Sequence, residues 1–304
     1  MPDYFIIDKD TRKNILEEYT KTEKDLAQDV QLLVDWFKTQ HHLPEIPSRN
    51  MIRYFLINNK FSLQRTKEKI DMYYTIRSSL PDLYGVINPK FERIKKHNAT
   101  CHIIPLPKLL DGKHRIILSQ EQNVPLSQMD GTALIGRILN MQEVRFEEDI
   151  HMSNIALIDC QNINLNHTLA FTPTHVKMAV MLFYKVYTTR LKEIHVFNHN
   201  TVVTIFVNLF AAFTKQKIMK RIHLHDNIDS LKKHFPLDVL PKDYGGTLPP
   251  IEKLSEAWLA KLEEYQDRFD TLDSMEVNEA LRSVPLNEVS TYGIQGSFKT
   301  LSFD

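Results

Sequence analysis

Thirteen histidines and two cysteines are the residues of this chain best suited to metal or acid–base chemistry. His223 and His225 alternate along a β-branched run, so they share a face, with Asp226 beside them. A zinc centre needs a third ligand in fixed geometry, and neither an H-E-x-x-H nor a paired-cysteine spacing supplies one. Local hydrogen bonding is the expected role of these rings, and no metal site is assigned. Asp159 and Cys160 close another apolar run, at the carboxyl end of a strand, where α/β proteins often place functional groups. No histidine stands at a readable spacing to activate Cys160, which reads as a small buried hydrophobe. A G-x-S-x-G elbow, a G-x-G-x-x-G turn and a phosphate loop are all missing, and glycine is scarce at eight residues in 304. No residue is assigned a catalytic role, an enzyme is not expected, and no cofactor is implied.

The other chemically pointed set is basic. Lys215, Lys217, Lys220 and Arg221 follow a run from Val202 to Phe213 in which only Thr204 and Asn208 are polar. A helix apolar nearly all round is buried on both sides or faces lipid. At about 1.5 Å per residue it spans roughly 18 Å, short of a bilayer core of about 30 Å. The pattern fits a buried core helix or a protein that handles lipid at a membrane surface. The 38 basic and 38 acidic residues cancel, so no overall field draws the chain to nucleic acid, and attraction to anionic surfaces must come from a local patch. The start, MPDYFIIDKDTRKN, lacks a signal-peptide pattern, and Cys101 and Cys160 show no paired spacing. A cytoplasmic protein, transiently membrane-associated, is expected.

The elements that must position these residues fall into two textures. Over residues 1–95 the periods are helical: Leu26, Val30, Leu33, Val34 and Phe37 share one face, Pro44 and Pro47 interrupt, and Ser62 caps a helix that Pro81 ends. From 96 to 250, short β-branched runs at 115–119, 154–159, 193–197 and 221–225 alternate with helix-length segments at 130–147, 174–187 and 201–217. That alternation predicts βαβ units and a largely parallel sheet, an α/β fold, with Asp111-Gly112 as a turn before the first strand. Residues 251–304 give an amphipathic helix over 252–270 and a polar tail from Asp273, expected to be loosely docked.

Several pieces in order resemble one family. IRYFLINNKFSLQRTKEKIDMYYTIR (52–77) looks like an N-terminal helical motif with a Phe-Leu pair, a Lys-Phe turn and a Y-Y-x-x-R helix. IALIDCQNINLNHTLAFTP (155–173), RLKEIHVFN (190–198), KIMKRIHLH (217–225) and LPKDYGG (240–246) follow in the expected sequence. Together they resemble the CRAL-TRIO lipid-binding proteins, most nearly the tocopherol and retinaldehyde-binding branch. The resemblance implies an N-terminal helical bundle and a CRAL-TRIO domain with one apolar cavity under a helical gate, here about residues 198–217. For the cavity wall it points to Leu118, Leu134, Ile138, Leu182, Phe183, Tyr187, Ile194, Val203, Phe206, Val207 and Phe210, about half of which are expected to touch ligand.

The family's tocopherol branch reads phosphoinositide headgroups with a basic patch, and Arg190, Lys192, Lys217 and Arg221 fall on matching positions. Lys217 and Arg221 are four apart, the spacing of one helical face, and Arg190 and Lys192 two apart, the spacing of one strand face. The chain departs from the family at Ile57, where a basic residue is common, at Tyr187-Thr188, which lacks a proline, and at Asn198-His199-Asn200. The implied partners are a hydrophobic small molecule and an anionic membrane surface. A phospholipid exchanger and a scaffold module with a vestigial pocket are the alternatives.

Overall fold

The computed structural model describes residues 4–283. Five strands lie in the order β1-β2-β3-β4-β5: β1 (Cys101–Leu110), β2 (His114–Glu121), β3 (Ser153–Asp159), β4 (Leu191–Phe197) and β5 (Ile222–His225). The first pair is antiparallel and the other three pairs are parallel. The largely parallel α/β sheet read from the sequence is therefore present, with one strand more than the periodicity shows. Pro105 and Pro107 hide β1, because proline cannot donate to a ladder and is confined to sheet edges and bulges. β1 is an edge strand, and its register breaks between Pro105 and Leu109. There the Leu106 and Pro107 carbonyls accept from Nη1 of buried Arg115, at 2.8 and 2.6 Å. Asp111-Gly112 thus joins β1 to β2 instead of preceding the first strand.

Six helices precede the sheet: Thr11–Glu17, Glu23–Phe37, Arg49–Asn58, Leu63–Ser79, Pro81–Tyr84 and Glu92–Asn98. Local chemistry starts them. Thr22 and Asp25 form a capping box before Glu23–Phe37, and Ser48 and Ser62 accept from Met51 N and Arg65 N. Their apolar faces do not make a separate core. Leu33, Phe55 and Tyr73 are buried in the same cluster as Leu118 and Leu157 of the sheet.

Buried charge reinforces that junction. Arg77 on the Leu63–Ser79 helix meets Glu143 at 2.8 Å, and Tyr73 donates to the same carboxylate at 2.7 Å. Nearby, Asp149 is held by Arg115 at 2.7 Å, Arg145 at 2.9 Å and His151 at 3.2 Å, all fully enclosed. Burial pushes the Asp149 carboxyl up, but these neighbours outweigh it and hold it well below the usual carboxylate range.

After the sheet the single helix expected at 252–270 is two, Ile251–Glu264 and Gln266–Asp273. The tail from Asp273 is not loose as far as it is described: Asn278 N donates to the His42 carbonyl at 2.9 Å, and Arg282 pairs with Asp71 at 2.7 Å. The rest of that tail lies outside the described residues.

Candidate ligand cavity

Strand alternation builds the floor of the site. Ile158 on β3 pairs with Val196 on β4, and Ile194 on β4 pairs with Ile222 on β5, so all four side chains leave one face of the sheet. Over that face lies a cavity of about 320 Å³, at the lower end of small-molecule sites. Three helices close it with residues at three- and four-residue spacing. Gly131–Glu148 gives Leu134 and Ile138, Pro173–Lys185 gives Val176, Ala179 and Phe183, and Thr201–Phe213 gives Val203, Phe206, Val207 and Phe210. Among the described residues no lysine or arginine lines it.

Eight of the eleven wall residues read from the sequence line this cavity: Leu134, Ile138, Phe183, Ile194, Val203, Phe206, Val207 and Phe210. Leu118, Leu182 and Tyr187 do not. Leu118 pairs with Leu157, which places it on the opposite face from Ile158. Leu182 sits about 100° round the helix from Phe183 and points into the main core. Tyr187, fully buried, spends its hydroxyl on Tyr84 at 3.0 Å.

One end of the cavity is polar, and the sequence reading missed it. His97, Thr100, Glu121, Asp130 and His167 gather there. Asp130 is committed elsewhere: it caps the Gly131–Glu148 helix and pairs with Arg93 at 2.8 Å. Burial pushes the Glu121 carboxyl up to about 7, with Arg137 opposing. Burial also lowers the His97 imidazole to about 4. Asn164 N donates to His167 Nδ1 at 3.1 Å, leaving Nε2 buried without a protein partner. Such an unmet group costs about 1–3 kcal/mol. β2 runs two residues past the apolar stretch that announces it, and only that extension brings Glu121 to the wall. No motif marks it.

Asp159 is a structural hub at the carboxyl ends of the strands. Its oxygens accept from Gln120 Nε2 at 2.9 Å, Asn198 Nδ2 at 3.0 Å and the Tyr244 hydroxyl at 2.9 Å. Tyr244 arrives through the LPKDYGG turn, which needs its glycines: Gly245 has φ +73°, and a Cβ on Gly246 would lie 1.9 Å from the Leu240 carbonyl oxygen. Cys160 is buried and lines the cavity, its thiol pushed up to about 12 by burial and by the Asp159 and Glu121 charges.

On the far face of the sheet the histidines form a bonded stack. His195 Nδ1 lies 2.9 Å from His225 Nε2, and His195 Nε2 lies 3.0 Å from Glu193. Glu193, His195 and His223 bring one potential ligand atom each within 4.8 Å of one another. Both ring nitrogens of His195 are engaged in these contacts.

The helix expected to continue to residue 217 stops at Phe213. Thr214 is extended, and a separate turn, Gln216–Met219, follows. Only Val203 of the Thr201–Phe213 helix is buried, while Ile205 and Phe213 on it, with Leu165 and Leu169 on the neighbouring Leu165–Ala170 helix, are exposed. Because the helix ends early, Lys217 and Arg221 do not share one helical face: Lys217 is an exposed turn residue, and Arg221 donates to the Leu191 carbonyl at the start of β4. Arg190 precedes that strand instead of lying on it and donates to the Tyr19 hydroxyl, and Lys192 is half-buried. A further basic group comes from the N-terminal helices. Lys69 donates to the Tyr184 carbonyl, and its ammonium is lowered to about 8 by burial, with Lys185 and Arg65 adding to the effect against Glu68. Ile57, where the family often carries a basic residue, is buried in the core. Thr188 has φ +52°, a conformation closed to the proline common there.

Two family models match: "Pinta-like, UBA domain" over residues 22–94 and "CRAL/TRIO domain" over 113–246. Among curated proteins, the human alpha-tocopherol transfer protein-like is 24% identical over 245 residues, 79% of this chain and 70% of that protein. Rat clavesin-1 is 26% identical over 253 residues, 81% and 70% of the two chains. Among solved structures, Sfh5 aligns over 98% of this chain and 100% of its own at 10% identity, with a TM-score of 0.45. Residues 113–246, which carry the parallel strands and most of the cavity wall, match the CRAL/TRIO domain family and form a CRAL-TRIO domain.

Proposed function

We propose that this chain is a non-enzymatic carrier that takes one apolar, isoprenoid-like small molecule into the cavity and exchanges it at membranes through the Thr201–Phe213 helix. The observation that carries this reading is the helix itself. Val203, Phe206, Val207 and Phe210 line the cavity, while Ile205 and Phe213 face outward. Opening into water would expose several large apolar side chains at about 1.5–3 kcal/mol each. Opening against a bilayer leaves them in an apolar medium, so the membrane shifts the population towards the open form. The exposed Leu165 and Leu169 extend the same surface.

Arg190, Lys192, Lys217 and Arg221, with Lys69 added, are the groups proposed to meet phosphoinositide headgroups by charge-assisted hydrogen bonds. A phospholipid cargo is less well supported, since among the described residues no lysine or arginine lines the cavity to meet a phosphate. A scaffold with a collapsed pocket does not account for a 320 Å³ space. The name of the tocopherol relatives supports an isoprenoid-like cargo.

Native mass spectrometry of the purified protein, followed by organic extraction, tests the reading. One co-purifying apolar molecule per chain is the expected result. Protein that is empty and takes up no retinoid, tocopherol or phospholipid from vesicles would overturn it.

A further inference from the structure

Among the described residues, Glu121 and Asp130 are the two acidic residues that line the cavity, and only Asp130 has its carboxylate committed to a helix cap and an arginine. Glu121 stands where β2 ends, with Oε2 4.0 Å from His167 Nε2, beyond hydrogen-bond reach. Asn164 Oδ1 also lies 3.3 Å from Nδ1 of His167 but already accepts from Asn166 N at 3.0 Å, whereas the Asn164 amide donates to Nδ1 at the shorter 3.1 Å. With Nδ1 so engaged, the neutral ring carries its proton on Nε2. That N–H is buried and meets no protein acceptor. An oxygen about 2.9 Å from each atom closes a triangle on the 4.0 Å base with an angle of about 90° at its apex, which suits a hydroxyl or carbonyl oxygen.

We propose that Glu121 and His167 form a polar anchor for the cargo, selecting an apolar molecule that ends in one neutral hydroxyl or carbonyl group. The inference rests on the carrier reading and adds which end of the cargo enters first and what that end carries. A hydroxyl accepts from His167 Nε2–H and donates to the Glu121 carboxylate. A carbonyl accepts from both His167 and the protonated acid, a form that burial keeps populated near neutral pH. A pure hydrocarbon leaves the His167 N–H unmet. A carboxylate or phosphate head confronts Glu121 with like charge, and among the described residues no lysine or arginine lines the wall to pair with it. The remaining walls, from Ile158 and Val196 to Phe206 and Phe210, are apolar and suit the chain of such a molecule.

The test uses the full chain and three probes sharing one branched skeleton: phytol, the hydrocarbon phytene and the anionic phytanic acid. Their uptake from vesicles is read by extraction and native mass spectrometry. The parent protein should hold phytol about tenfold more tightly than phytene, the worth of one hydrogen bond that otherwise goes unmade, and phytanic acid less tightly than phytol. Glu121→Leu and His167→Phe should bring the ratio of phytol to phytene affinity down to about one. Glu121→Gln, which keeps a hydrogen-bonding group without charge, should retain it and raise phytanic acid uptake. Equal binding of phytol and phytene by the parent, or tighter binding of phytanic acid, would overturn the anchor and leave the carrier reading standing. Uptake of none of the three would overturn both.

Discussion

The Leu63–Ser79 helix and the Thr201–Phe213 helix both cover the body of the protein, but their contacts differ in kind. Leu63–Ser79 buries Ile70, Tyr73, Tyr74 and Ile76 and then locks itself with Arg77, ion-paired to Glu143 and stacked near Tyr73 and Tyr84. Thr201–Phe213 buries one side chain fully, and among the described residues no ion pair or side-chain hydrogen bond ties it to the body. Its polar fastening is at the cap, where Asn200 accepts from Val202 N and donates to the Ile163 carbonyl at 2.7 Å. The first interface resists opening in any solvent, because separated buried charges lose their partners. The second is held by contacts whose strength depends on what lies outside. A part meant to move at a membrane surface is better built in the second way.

The sharpest way to break this contrast is to cut the lock. Glu143→Ala leaves Arg77 buried and unpaired and Tyr73 without its acceptor, and should cost about 3–5 kcal/mol by urea unfolding. Phe206→Ala removes a half-buried ring from a wall that already borders empty space, and should cost less than about 2 kcal/mol. Equal losses would mean that the two interfaces do not differ as described.

Acid probes the same division. Burial holds His97, His114, His151 and His195 down to about 4, so these rings stay neutral in the fold. Unfolded, they protonate near 6.5. Between those values the unfolded chain binds more protons, so stability falls as pH drops from about 6.5 to 4, by up to about 1.4 kcal/mol per pH unit for each ring. His151 belongs to the buried charge cluster near that lock, against Asp149, and none of the four is on the Thr201–Phe213 helix. Urea midpoints should decline across this window and level off above pH 7. A flat profile would show that these imidazoles are not held neutral.

What the sequence disclosed and what it hid divide along physical lines. Periodicity found the parallel strands because each carries a short β-branched or alternating apolar run between helix-length segments, and it found the cavity residues of the Thr201–Phe213 helix because almost every residue there is apolar. β1 escaped because Pro105 and Pro107 break the run, and an edge strand tolerates what a central one does not. Leu118 and Leu182 were misplaced because an apolar side chain reads the same on either face of an element; only register and neighbours decide which way it points. Glu121 and His167 escaped for another reason. They stand 46 positions apart in the chain and meet through the end of β2 and the start of a short helix, with no motif between them.

The smallest expected effects concern the basic residues, and they refine what the mobile face is for. Replacing Lys217 and Arg221 by alanine should slow ligand transfer to phosphoinositide-containing vesicles while leaving solution affinity nearly unchanged. The two positions are not equivalent. Lys217 is exposed, so Lys217→Ala should leave stability within about 0.5 kcal/mol. Arg221 holds the Leu191 carbonyl, so its loss also loosens the start of β4. Each basic side chain near an anionic leaflet contributes about 1 kcal/mol, so Lys217→Ala alone should slow transfer about fivefold at low salt. The effect should shrink as ionic strength rises, since an exposed charge is screened over about 8–10 Å. Slowing by Arg221→Ala that persists at high salt marks a positional role, whereas slowing that salt abolishes marks a headgroup contact. If Lys217→Ala transfers at the parent rate at low salt, the exposed turn is not where the membrane is read, and the basic group of half-buried Lys69 with exposed Lys185 and Arg65 becomes the place to look.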